Sequence, residues 1–198
     1  MSRIGGSFMG LFASLWAGAL WAAALNLPDG ISMQVSEVVA GQRLELLGTG
    51  VRSRPGGRVD YVLGLYLLDG CESAAKVFTS QEPKSARVIF VDGMSFERGR
   101  KVMVEDIIVN VEPEMFERVS QALAQLIKAG PVESGFPAGS WIAFNYLPGR
   151  GTVFVYNGQE SQPIPGDEFY QALLMQWLGA RPISRKFKQS ILGSCTVG

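Results

Sequence analysis

The sequence has no histidine and only two cysteines, Cys71 and Cys195, in 198 residues. Without histidine the chain lacks the commonest metal ligand and the commonest acid-base group near neutral pH. Two distant cysteines cannot fill a tetrahedral zinc site alone, so no metal and no cofactor is expected. Lys+Arg and Asp+Glu number 18 each. No global field therefore draws the chain to nucleic acid or to an anionic membrane. There is no internal repeat, no low-complexity linker and no regular alternation of strand and helix that would build a parallel sheet.

Hydrophobic residues make up 47% of the chain, and part of that excess sits in the first 25 positions. Arg3 is followed by the apolar run Phe8 to Leu20 and by the small residues Ala22, Ala23 and Ala24. This is the pattern of an export signal. Its alternative is an uncleaved membrane anchor, since Phe8 to Leu27 approaches the length of about 20 residues needed to span a bilayer. The expected organisation is a signal at residues 1–25, one domain at 26–193 and a flexible tail at 194–198, with the product periplasmic or secreted. An oxidising compartment would permit a Cys71–Cys195 disulfide; two free thiols are equally compatible with the sequence.

The rest of the chain divides by period. Ile31, Met33 and Val35 alternate with polar residues, as do Leu44 and Leu46 in a strand continuing through Val51. RPGG at 54–57 is a turn. Val59 to Leu68 is the most apolar strand and is expected to be central. A short helix lies within Cys71 to Ser80, and Ala86 to Val91 is another strand. The period then becomes helical: Phe96, Met103, Ile107 and Val111 recur near one face behind the N-cap Ser95, although Gly99 and the β-branched residues weaken that helix. Pro113 opens a clearer helix that ends at Gly130. Trp141 to Tyr146 and Thr152 to Tyr156 form a hairpin around PGRG at 148–151. Helices starting near Asp167 and at Ser184 close the chain, the last stopping near Gly193. The order implies an α+β fold with a long antiparallel sheet and helices on one face.

Four stretches carry a resemblance. They are LNLPDGI, GTGVR with the Leu65–Tyr66–Leu67 strand, NYLPGRGTVFVYNG, and IPGDEFYQALLMQWLGARPISRKFKQSILG. Together they make the chain similar, from about Leu27 to Gly193, to the bacterial exported proteins of the chalcone isomerase-like group. The resemblance implies an open-faced β-sandwich with a ligand cleft between sheet and helices. Its members divide into enzymes that cyclise chalcones, fatty-acid binders and proteins without known activity.

Arg52 matches an arginine that steadies the phenolate nucleophile in the enzymes and meets the carboxylate in the fatty-acid binders. A guanidinium, always charged and forked, suits either oxyanion; a solvent-facing charge at a strand end is the plainer alternative. Thr49 can donate a hydroxyl beside it or serve as an ordinary strand residue. Tyr66 matches a recurrent tyrosine whose hydroxyl, if buried, needs a ligand or backbone partner. Tyr61 lies roughly where the plant enzymes carry a hydroxyl that polarises the substrate ketone. Those enzymes also use a tyrosine after this strand, but no tyrosine lies between Tyr66 and Tyr146, so no catalytic residue is assigned.

Asn110 reads as a helix-end residue. Arg87 and Asp92 read as strand-end surface charges. Arg98, Arg100 and Lys101 read as a solvated helix face, and GRGT at 149–152 as a hairpin only. The expected function is non-catalytic binding of a small amphipathic carboxylate or phenolate, such as a fatty acid. Its tail would be lined by Leu65, Phe90, Met103, Ile107 and Phe116. An intramolecular lyase of chalcone isomerase type is one alternative. The other is a structural domain without ligand, in which Trp141, Phe144 and Trp177 are simply core.

Overall fold

A computed structural model describes residues 24–27, 30–71, 73–193 and 195. The expected signal lies outside these residues except for Ala24 and Leu25, and the expected tail except for Cys195.

β1 (Ala24–Asn26) and β2 (Ser32–Gln34) make a two-stranded ribbon. After them, seven strands form one antiparallel sheet whose spatial order is the chain order. They are β3 (Ser36–Val39), β4 (Gln42–Ser53), β5 (Val59–Leu67), β6 (Lys84–Phe90), β7 (Trp141–Leu147), β8 (Gly151–Tyr156) and β9 (Gln159–Glu160). The helices enter at two gaps and at the end. α1 (Ala74–Thr79) follows β5, α2 (Phe96–Ile108) and α3 (Pro113–Ala129) follow β6, and α4 (Asp167–Leu178) and α5 (Arg185–Leu192) follow β9.

β5 is the centre of the molecule, as its apolar sequence predicts. On one face Tyr61, Leu63, Leu65 and Leu67 lie beneath the helices with Val88, Phe144, Leu173 and Trp177. On the other, Val62 and Tyr66 pack with Met33, Leu44, Ala143 and Val155. The helices therefore cover one face and the β1–β2 ribbon reaches over part of the other. Gly64 makes room for the ribbon: a Cβ there would stand 2.2 Å from Met33 Sδ.

The caps act where the sequence places them. Ser95 Oγ accepts from Arg98 N at 3.3 Å and Ser184 Oγ from Phe187 N at 3.0 Å. Gly99 does not break α2; a Cβ at that position would meet the Phe136 ring at 2.7 Å, so its role is close approach. β6 begins two residues before the expected Ala86, because Lys84 pairs with both Leu67 and Tyr146. Cys71 and Cys195 form a disulfide with Cα atoms 5.0 Å apart, which ties the chain just beyond α5 to the end of β5.

Candidate functional site

Strand parity decides which side chains can meet here. In β4, Leu46 pairs with Tyr66 but Gly48 pairs with Leu65, so one extra residue is taken up between them. Past this bulge Gly48, Gly50 and Arg52 stand opposite Leu65, Leu63 and Tyr61, on the helix face. The two glycines let α5 lie against the strand. A Cβ at Gly48 would meet the Ile191 and Ser190 carbonyl oxygens at 2.4 and 2.6 Å, and one at Gly50 the Phe187 ring at 2.8 Å. Arg52 is the next position on that face, where α2 rather than α5 covers the sheet.

There Arg52 Nη1 donates to Asp106 Oδ2 of α2 at 2.5 Å, the side chains being 18% and 26% exposed. Arg52 Cζ lies 5.8 Å from the centre of the Tyr61 ring. The Tyr61 hydroxyl accepts from Trp177 Nε1 of α4 at 3.0 Å. Burial pushes the Tyr61 hydroxyl pKa up, and the Arg52 charge only partly offsets that. Burial opposes the Arg52 charge as well, yet Tyr61 and Asp106 together hold its pKa above the ordinary value. Four elements, β4, β5, α2 and α4, thus meet around one protonated hydroxyl and one cation.

Tyr61 and Trp177 also line a cavity of about 70 Å³ between the sheet and α2, α3 and α4. Val88, Phe90, Ile142, Phe144 and Phe154 form its sheet wall. Phe96, Gly99, Met103, Ile127 and Gln176 form its helix wall, and Phe136 stacks on Phe90 at 4.5 Å. Arg100, 40% exposed and paired with Glu97 at 2.5 Å, stands at the rim. The volume suits a few waters and is below the roughly 300 Å³ at which drug-sized sites begin. A longer occupant needs side chains to turn aside, and Met94 and Met103 are the adaptable ones.

Among the residues singled out in the sequence, Arg52 and Tyr61 come together and Tyr66 and Thr49 do not join them. Tyr66 is fully buried on the opposite face, and its hydroxyl donates to Gln34 O at 2.8 Å. A backbone carbonyl thus takes up its proton. Thr49 sits opposite Gly64 and lines a groove with Val51, Ser184 and Phe187, apart from the cavity. Of the expected tail-lining residues, Phe90 and Met103 face the cavity. Leu65 and Ile107 are packed into the core, with Phe116 at its edge. Phe144 and Trp177 line the cavity, whereas Trp141 lies on the far face beneath the Arg87 guanidinium, 4.0 Å from the ring centre.

Several charges do more than decorate the surface. Arg87 pairs with Glu37 at 2.7 Å and is only 25% exposed. Arg98 pairs at 2.9 Å with Asp60, which is nearly buried, and Arg54 Nε reaches the same carboxylate at 2.9 Å. Arg54 and Arg58 also hold Asp92, so this network fastens the β4–β5 turn to the start of α2. Asn110 is a helix-end residue, and it clamps α2 to the turn after α4. Its Nδ2 donates to Asp106 O and Arg181 O at 2.9 Å each, and its Oδ1 accepts from Arg181 N at 2.7 Å. Among the described residues no group of three or more acidic or cysteine side chains could hold a metal ion.

Sequence reasoning missed Trp177 as a partner of Tyr61 and Asp106 as a partner of Arg52. Asp106 lies three residues after Met103 and directly before the buried Ile107, a spacing that places it at the border of the buried face of α2.

The chalcone isomerase-like family profile matches residues 27–193. Comparison with curated protein sequences gives no match. Among solved structures, the fold is similar to the crystal structure of an Arabidopsis thaliana fatty-acid binding protein. The TM-score is 0.67 and the identity 15%, with 86% of this chain and 96% of that chain covered.

Proposed function

The chain belongs to the chalcone isomerase-like family, and from that membership and the cavity we propose that it binds a fatty acid or a similar small amphipathic carboxylic acid without transforming it. The observation that carries this reading is an aromatic-lined cavity with Tyr61 in its wall and Arg52 next to Tyr61. Trp177 donates to the Tyr61 oxygen, so the hydroxyl keeps its own proton for an acceptor. A carboxylate offers that acceptor and takes the Arg52 fork. Each methylene moved from water into the cavity contributes about 0.8 kcal/mol, so the tail supplies affinity and the polar end sets direction. The similar Arabidopsis protein is described as a fatty-acid binding protein, which agrees with this reading.

Export to a bacterial envelope is part of the proposal. It rests on Arg3, the Phe8 to Leu20 run and the alanines that follow. The Cys71–Cys195 disulfide supports it, because such bonds persist in oxidising compartments.

The test is mass spectrometry of organic extracts from the natively purified protein. A fatty acid is expected in stoichiometric amount with the natural chain and is expected to be lost with Arg52→Ala. An extract without carboxylic acids, together with no uptake of added fatty acid, would refute the proposal. Formation of flavanone from chalcone above the spontaneous rate would replace it with the lyase reading.

A further inference from the structure

The cation assigned to the ligand head already holds a carboxylate of the chain itself. Asp106 Oδ2 accepts from Arg52 Nη1 at 2.5 Å in a site where neither side chain is more than 26% exposed. Among the described residues Arg52 has no second acidic partner within salt-bridge distance. A ligand carboxylate arriving there would place two negative groups on one guanidinium. In a half-buried setting that arrangement is disfavoured by like-charge repulsion and desolvation.

Asp106 does not itself line the cavity, but its helix does. That helix, α2, contributes Phe96, Gly99 and Met103 to the lining. The Arg52–Asp106 bond therefore pins that wall to β4. With the wall in this position the cavity measures about 70 Å³, too little for a long acyl chain. Opening that bond frees Arg52 and loosens α2 near Asp106, while the Arg98–Asp60 pair and Asn110 keep the ends of the helix in place.

We propose that Asp106 is a built-in competitor for the ligand head and the specificity-determining residue of this site. The head of an incoming acid displaces the Asp106 carboxylate from Arg52, and the loosened turn of α2, with Met103 turning aside, lets the tail in. Acids exchange one ion pair for another. Uncharged molecules with the same tail cannot make the exchange and leave the latch closed. This inference rests on the fatty-acid reading above and adds to it the residue that sets affinity.

The test is isothermal titration of dodecanoate and of 1-dodecanol into the natural chain, Asp106→Asn and Asp106→Ser. Removing the competing charge leaves Arg52 to be paired by the ligand. Dodecanoate is then expected to bind at least about tenfold more tightly to both variants, while dodecanol changes by less than about threefold. The serine variant serves if the asparagine variant does not fold. Unchanged or weaker dodecanoate binding in the folded variants, with the natural chain binding it, overturns the competition. Equal tightening of acid and alcohol also overturns it, since Asp106 would then be only a latch on α2. Dodecanoate binding to none of the three proteins overturns the fatty-acid reading itself and the inference with it.

Discussion

Replacing Gly48 by alanine is a direct test of how β4 and α5 fit. The new Cβ would lie 2.4 Å from Ile191 O and 2.6 Å from Ser190 O, whereas real Cβ atoms essentially never come within 3.0 Å of such atoms. Both neighbours are helix backbone, so no side chain can rotate away. α5 must retreat from the strand by at least about 0.6 Å. Phe187, Ile191 and Leu192 anchor that helix at 2%, 0% and 4% exposure. Their full burial contributes about 1.5–3 kcal/mol each, and a gap of about 0.5–1 Å forfeits a quarter to a half of a contact well. The loss is then about 1–4 kcal/mol. Reduced freedom of the unfolded chain returns about 0.4–1 kcal/mol, leaving a net cost of about 2 kcal/mol at the middle of the two ranges.

For a domain of this size that cost lowers Tm by roughly 4–8 °C. Urea unfolding followed by tryptophan fluorescence, with the disulfide intact, measures it. Gly50→Ala meets side-chain atoms, Phe187 Cε2 and Ile191 Cδ1, at 2.8 and 2.9 Å, and is expected to cost less. Gly70→Ala meets nothing within 4 Å and has no positive φ, so it is expected to be neutral or slightly stabilising. A Gly48→Ala protein as stable as the Gly70→Ala protein would refute the packing argument.

Other perturbations reach different parts of the molecule. Replacing Cys71 and Cys195 together by serine opens a cross-link spanning a sequence separation of 124. It is expected to cost about 2–5 kcal/mol and to speed amide exchange in α5, with equal exchange rates counting against an anchoring role. Burial lowers Lys84 to about 8 from an ordinary 10.5, opposed by Glu82 and Asp167. The unfolded chain keeps that proton longer, so it binds more protons than the folded chain above pH 8, and stability rises with pH in that window. Between pH 8 and 9.5 the urea-derived stability is expected to rise by about 1–2 kcal/mol, and Lys84→Met is expected to abolish the rise. Above about pH 10 the trend reverses, because burial raises the pKa values of Tyr66, Tyr146 and Tyr170, and the folded chain then keeps protons that the unfolded chain loses. A stability profile flat from pH 8 to 9.5 would count against the buried-amine account.

Most of the elements were legible because their signals are local, whereas the short strands β1, β3 and β9 were not. Ser95 and Ser184 cap the helices they precede, Pro113 opens α3, and PGRG turns the β7–β8 hairpin. Part of the site was legible too. Tyr61 and Tyr66 are five residues apart in one strand, and an odd separation sends them to opposite faces. Parity alone thus separates the two tyrosines. Arg52 was less accessible, since its face depends on the bulge between Leu46 and Gly48, and the bulge leaves no distinctive residue pattern.

By itself, the amino-acid order determined the longer secondary elements, their α+β arrangement and the family. Periodicity, caps and turns act over a few residues and survive in one dimension. The tertiary structure decided who meets whom. It set Asp106 on Arg52 across 54 positions and Trp177 on Tyr61 across 116, and it turned Gly48 and Gly50 into a seat for α5. Those contacts depend on how a twisted sheet receives its helices, and no short-range pattern encodes the distances involved.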